Sequence, residues 1–147
     1  MMNKNSLITE TVVYASPIEL WKLITDRDAM KIWYFDIPDF SLVEGTNFTF
    51  KGKGEGEKYL HKGVILDVVP LYRLTYSWGY KEYPGESEVT FQLNSVGKNK
   101  TRVTIIHSGI ESFPDGDPNF SRESFTAGWN SILNESLKPY AEGTKTA

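Results

Sequence analysis

Near the C-terminus, apolar residues recur as Phe125, Trp129, Ile132, Leu133, Leu137 and Tyr140. Steps of four, three, one, four and three keep them on one stripe of a 3.6-residue helix, which predicts a helix over about Ser121–Tyr140. At 1.5 Å per residue it runs roughly 30 Å, about the width of a small domain. Asn119 or Ser121 supplies its cap, and Pro139 falls in its last turn and should loosen it. Upstream the period shortens to two. Phe48 and Phe50 alternate with Thr49 and Lys51 in a strand over Thr46–Lys53. Over Tyr72–Tyr80, Leu74, Tyr76 and Trp78 face one way and Arg73, Thr75 and Ser77 the other. Val89, Phe91 and Leu93 share a face of Glu88–Ser95, and Val103, Ile105 and His107 share a face of Thr101–His107. Leu7–Tyr14 predicts a first strand, Phe40–Val43 a short one, and Lys58–Val69 a long one with Gly63 as its bulge.

Two short helices separate the first strand from the rest. Ser16 caps, Pro17 suits the first helical position and Glu19 completes a capping box, so a helix runs to about Thr25. Leu20, Trp21, Leu23 and Ile24 form its apolar face, with Trp21 expected in the core. Asp26–Asp36 predicts a second helix, capped by Asp26 or Asp28, with Met30, Trp33 and Tyr34 on one face and Pro38 ending it. Turns are expected at Glu44-Gly45, Pro70-Leu71, Lys81–Glu86 and Val96–Lys100, and a loop over Ser108–Asn119. The result is an α+β chain: about six or seven antiparallel strands curled around one long C-terminal helix. Its 147 residues make one domain, with 1–5 and 142–147 expected to fray. A domain of this size hides about two-thirds of its unfolded surface, enough for a real core.

Composition narrows the function. A net charge of −3 argues against nucleic-acid binding, which needs a basic stripe. No cysteine is present, so disulfide and thiolate chemistry are absent. No apolar run is long enough to insert in a membrane, and the polar start carries no leader pattern, so a cytoplasmic protein is expected. Gly52, Gly54 and Gly56 spell GxGxG, but a strand rather than a helix follows, which makes a hairpin tip of them and not a phosphate loop. The two histidines, His61 and His107, lie about two strands apart with no clustered carboxylates, so no metal or other cofactor is expected. His107 is inward-facing by parity. It is the weak catalytic candidate, weighed against a structural histidine tying down the last loop. Tyr59, Tyr76 and Tyr80 have hydroxyls to offer a bound carbonyl. Glu86 and Glu88 fit a solvated hairpin edge, and Ser131 has no adjacent base to make it a nucleophile.

Several phrases share an order with a known family. They are Ser16-Pro17 with Trp21, Trp33, Gly63 with Pro70, Leu74 through Ser77-Trp78, Val89-Thr90-Phe91, Thr101-Arg102-Val103 with His107-Ser108-Gly109, and Gly128-Trp129. Over essentially its whole length the chain resembles the START-like, or SRPBCC, superfamily. Within it, it most resembles the family related to the activator of the heat-shock-protein-90 ATPase. The resemblance implies a helix-grip fold with a cavity between the sheet and the C-terminal helix, in members that mostly bind hydrophobic small molecules or have no known activity. In a distinct eukaryotic branch with an additional N-terminal domain, a related domain helps to stimulate the chaperone ATPase. Co-chaperone activity is not carried over from the name.

The residues themselves support a cavity. One helix offers one stripe, whereas six strands offer a broader concave face. Filling that space at interior density is hard, so a gap of a few hundred Å³ is expected. The expected lining is Trp33, Phe48, Phe50, Tyr76, Trp78, Phe91, His107, Phe125 and Trp129, with Gly128 removing bulk beside Trp129. The leading expectation is a non-enzymatic binder of a small hydrophobic or aromatic molecule. The alternatives are a protein-interaction module that regulates a chaperone ATPase, and a cyclase- or hydrolase-type enzyme using the same cavity. A homodimer is compatible with each.

Overall fold

The computed structural model describes residues 6–52 and 59–143. The chain runs β1 (Leu7–Val13), α1 (Pro17–Thr25), α2 (Arg27–Trp33), β2 (Asn47–Lys51), β3 (Leu60–Val69), β4 (Arg73–Tyr80), β5 (Tyr83–Gly97) and β6 (Lys100–Ser108). Two single 3₁₀ turns, Ile110–Ser112 and Pro118–Phe120, lead into α3 (Arg122–Asn130). A π-helical segment (Ser131–Leu137) then joins α3 to α4 (Lys138–Gly143). The strands form one antiparallel sheet in the order β1-β6-β5-β4-β3-β2. From β2 to β6 it is a meander. The two short helices carry the chain from β1 at one edge to β2 at the other. This is the helix-grip arrangement.

Local chemistry accounts for most boundaries. Ser16 and Glu19 form a reciprocal capping box at α1, Asp26 caps α2 through the Ala29 N–H, and Ser121 caps α3 through the Ser124 N–H. Register shifts lie between Ile65 and Asp67, Trp78 and Tyr80, and Ser95 and Gly97. Each adds local twist, so together they bend the sheet around the helix. Phe125, Trp129, Leu133, Leu137 and Ala141 of the C-terminal helix are buried against the sheet and α1–α2.

Several expectations need correction. Phe40–Val43 is not a strand: Phe40 donates to the Ile37 carbonyl in a tight turn, and Leu42 and Val43 stand exposed. The bulge in β3 falls at Leu66, not at Gly63. Gly63 is glycine for another reason, because the Phe48 ring lies across it. The turn before β5 is only Lys81-Glu82, since Tyr83 already pairs with Tyr80. Pro84 is tolerated there because β6 joins β5 only from Glu88 onward, so no second ladder needs its missing N–H. Helix α2 stops at Trp33, before the expected Asp36. The C-terminal helix runs past the expected Tyr140 to Gly143, where Glu142 accepts the Tyr14 N–H, and a π-helical turn directly precedes Pro139. Ile132 and Tyr140 flank the buried stripe rather than join it. Of the GxGxG run, Gly54 and Gly56 lie outside the described residues.

Two glycines give opposite expectations. A Cβ at Gly63 would sit 2.3 Å from the Ser77 carbonyl oxygen and 2.4 Å from the Phe48 ring. Gly63→Ala should therefore cost about 2–3 kcal/mol, the range of an overpacked core. At Gly128 nothing lies within 4 Å of a built Cβ. Gly128→Ala should hold or raise stability by up to about 1 kcal/mol through helix propensity. Urea unfolding of the two variants checks both signs.

Candidate functional site

Between α3 and the β3–β4 part of the sheet lies a cavity of about 300 Å³. Its sheet wall is His61, Trp78 and Tyr80. Its helix wall is Ser124, Phe125, Gly128, Trp129 and Ile132. Phe35, just past α2, Tyr59 before β3, and Asn119 with Phe120 from the last loop close the rim. The strands place these rings by parity. Trp78 and Tyr80 are two residues apart on β4, and Tyr80 is the cross-strand partner of His61. A wider hollow of about 510 Å³ lies within 110–122, rimmed by Glu111, Asp115 and Asp117. It is shaped by one stretch of chain, whereas the smaller cavity, open on one side, is walled by sheet, helix and loop together.

Among the described residues the cavity wall carries no ionised side chain but several polar edges. His61 Nδ1 lies 3.1 Å from the Tyr59 carbonyl, which can only accept, so Nδ1 carries the proton and Nε2 is left as an acceptor. Burial pushes the His61 pKa down to about 4, against the opposing pull of the Tyr59 and Phe50 carbonyls. The ring is therefore neutral at pH 7. It stacks on Phe50 at 4.6 Å and meets Tyr80 at 4.9 Å. The Tyr80 hydroxyl accepts the Trp78 indole N–H at 3.0 Å, which leaves its own proton to donate. Burial, more than any neighbour, pushes the Tyr80 pKa up to about 12. Asn119 Nδ2 donates to the Tyr59 hydroxyl at 2.8 Å and so ties the last loop to the rim.

His107 stands behind this wall, fully buried. The Trp129 indole N–H donates to its Nδ1 at 2.9 Å. That fixes the proton on Nε2, which donates to Ser87 Oγ at 2.7 Å, and Ser87 in turn donates to the Trp78 carbonyl at 2.9 Å. Both ring nitrogens are thus engaged, and burial pushes the pKa down to about 3. The residue ties helix to sheet, rather than tying down the last loop as its structural reading expected.

Of the nine residues expected to line the cavity, Trp78, Phe125 and Trp129 do. The other six lie in packed core. Trp33 donates its indole N–H to the Leu23 carbonyl at 2.8 Å and stacks on Tyr34 at 4.9 Å. Tyr76 shares a buried hydroxyl–hydroxyl bond with Tyr34, and Phe91 is edge-on to Trp33, Tyr34 and Trp129. Phe48 is wedged between Phe40 and Tyr76, and Phe50 sits behind the His61 ring. His107 is capped by Trp129. Helices α1 and α2 fill that half of the palm, so the open space moves to the other half. Tyr59 and Tyr80, singled out in the sequence for their hydroxyls, line it too, and parity could have found His61, the partner of Tyr80 across the hairpin. No periodic signal marks Phe35, Asn119 or Phe120, because they lie in loops or single turns.

Among the described residues no cluster of three His, Asp or Glu side chains is placed to hold a metal ion. No helix among them is long and apolar enough to cross a membrane. The sequence profile of the activator of Hsp90 ATPase homolog 1-like proteins matches residues 14–142. The chain belongs to this family. Among curated proteins no relative matches. Solved structures do. Protein CV1439 from Chromobacterium violaceum is 21% identical, with TM-score 0.77 over 95% of this chain and 99% of that one. CalU16 from Micromonospora echinospora is 27% identical, with TM-score 0.68 over 88% of this chain and 71% of that one. The Aha1 dimer from Colwellia psychrerythraea is 20% identical, with TM-score 0.71 over 93% of this chain and 96% of that one.

The two histidines of this Hsp90-activator-like domain make its stability pH-dependent. Their folded pKa values lie below the usual 6.5. Below that pH the unfolded chain takes up protons that the folded chain refuses. Stability should therefore fall as pH drops from about 6.5 toward 4, by roughly 1.4 kcal/mol per unit for each histidine. Urea midpoints at pH 7 and 4.5 measure the loss. Ring ¹⁵N shifts should show the Nδ1–H tautomer at His61 and the Nε2–H tautomer at His107. Normal titration of both rings near 6.5 would refute the assignment.

Proposed function

We propose that this protein is a non-enzymatic binder of a small hydrophobic or aromatic molecule, held between the sheet and the C-terminal helix. The observation that carries this reading is the cavity of about 300 Å³ between β3–β4 and α3, lined mostly by rings. Gly128, an exposed residue of α3 at its rim, adds no side chain there. Among the described residues the wall is largely apolar and uncharged, and a volume at the small end of the ligand-pocket range of about 300–1,000 Å³ supports the same reading. The cytoplasm is the proposed compartment, which suits a chain without cysteines.

A cyclase- or hydrolase-type enzyme fits less well. Its first suspect, His107, has both nitrogens engaged behind the Trp129 ring. A chaperone-regulating module draws support from the family description and from Ile18 and Ile32, which stand exposed on α1 and α2. An ATPase assay with and without the protein decides that reading.

Titration with the neutral fluorophore N-phenyl-1-naphthylamine should be saturable, with quenching of Trp78 and Trp129. Gly128→Phe should weaken it at least about tenfold while circular dichroism stays native. The absence of saturable binding to the unaltered chain would overturn the proposal.

A further inference from the structure

The cavity wall holds two polar groups that the fold sets but leaves half-used. His61 and Tyr80 are direct partners across β3 and β4, with ring centroids 4.9 Å apart at 60°. The Tyr59 carbonyl favours the His61 proton on Nδ1, the tautomer that leaves Nε2 as an acceptor, and among the described residues no donor reaches it. The Trp78 indole N–H occupies the acceptor side of the Tyr80 hydroxyl, and among the described residues no acceptor takes the Tyr80 proton. Both rings face the same cavity. An acceptor and a donor therefore stand side by side in a wall that is otherwise largely aromatic.

Resting on the binding function argued above, we propose that the cavity selects uncharged fused-ring molecules that carry a hydrogen-bond donor beside an acceptor on one edge. A cyclic amide is the simplest such group: its N–H goes to His61 Nε2 and its carbonyl takes the Tyr80 O–H. Negative charge is selected against: among the described residues the wall offers no cation, and Asp117 lies close enough to Tyr80 to disfavour an anion there. His61 remains neutral at pH 7, which preserves its acceptor. A ligand that is apolar all over leaves both buried groups unsatisfied, and the site discriminates against it for that reason.

Three probes against the full chain test this by calorimetric or fluorescence titration. The probes are 2-quinolone, 1-methyl-2-quinolone, which lacks the donor, and naphthalene, which lacks both groups. 2-Quinolone should bind at least about tenfold more tightly than either analogue, the usual worth of one satisfied buried hydrogen bond. Tyr80→Phe and His61→Phe should each bring 2-quinolone down toward the affinity of naphthalene. Tyr80→Phe also strands the Trp78 N–H, so the three probes on the unaltered chain carry the decision. Equal affinity for all three overturns the two-point recognition and leaves an apolar binding cavity standing. No binding by any of them overturns both.

Discussion

A buried hydrogen bond from the Trp129 indole to His107 holds the C-terminal helix in the palm of the sheet. Through Ser87 the same chain of donors reaches the Trp78 carbonyl, so one helix residue is tied to β6, β5 and β4 in turn. Each member is satisfied, and that is the condition under which a buried polar network rigidifies a core instead of weakening it. The depth and rotation of α3 follow from it. With Trp129 turned onto Trp78 and His107, Phe125 comes down on His107 from the preceding turn. Gly128 is then aimed at the remaining space over His61 and Tyr80.

The helix must also keep its buried face in line over its length, and here geometry works against it. The buried positions Phe125, Trp129, Leu133, Leu137 and Ala141 are four residues apart. In an unbroken α-helix each such step overshoots a full turn by about 40°, so the last would stand about 160° from the first. The π-helical segment takes the overshoot back, with the Lys138 N–H reaching the Leu133 carbonyl five residues earlier. Pro139 supplies a local cause. Its ring would meet the Glu135 carbonyl in a tight α-turn, and the wider π-turn before it makes room. Pro139 and the run of fours are thus two signs of one adjustment.

Much of the architecture was legible in the sequence because it rests on local rules. The capping box at Ser16, the alternation in β4 and β6 and the apolar stripe before Tyr140 each depend on near neighbours. The cavity was legible as a necessity but misplaced. Nine residues were assigned to it because they are large and face inward, yet facing inward does not separate packed from open. What separates them is the course of the chain between Trp33 and Phe48. There Tyr34 descends onto Tyr76 and fills one half of the palm. That descent is a tertiary event at a residue with a non-helical backbone just past α2, and no periodicity encodes it. The strand error at Phe40–Val43 has a related origin, since a short apolar run was given to the sheet when its turn satisfies its backbone locally.

An unfilled space inside a small domain persists only if its walls cannot fall in, and here both ends are braced by rings. At one end Phe120, from a single 3₁₀ turn, touches Tyr59, Tyr80, Tyr83 and Phe113 within 5.6 Å. At the other, Trp33, Tyr34, Tyr76 and Phe91 interlock beneath α2. Aromatic rings have few rotamers and keep their shape, so neither cluster can flow into the gap as a run of leucines or methionines would. Collapse would instead require the helix to move inward, and Trp129 already rests on Trp78 at 5.3 Å. The aromatic content of this chain therefore does two jobs at once: Tyr59, Tyr80 and Phe120 brace one end and line the cavity, while Trp33, Tyr34, Tyr76 and Phe91 brace the other without lining it.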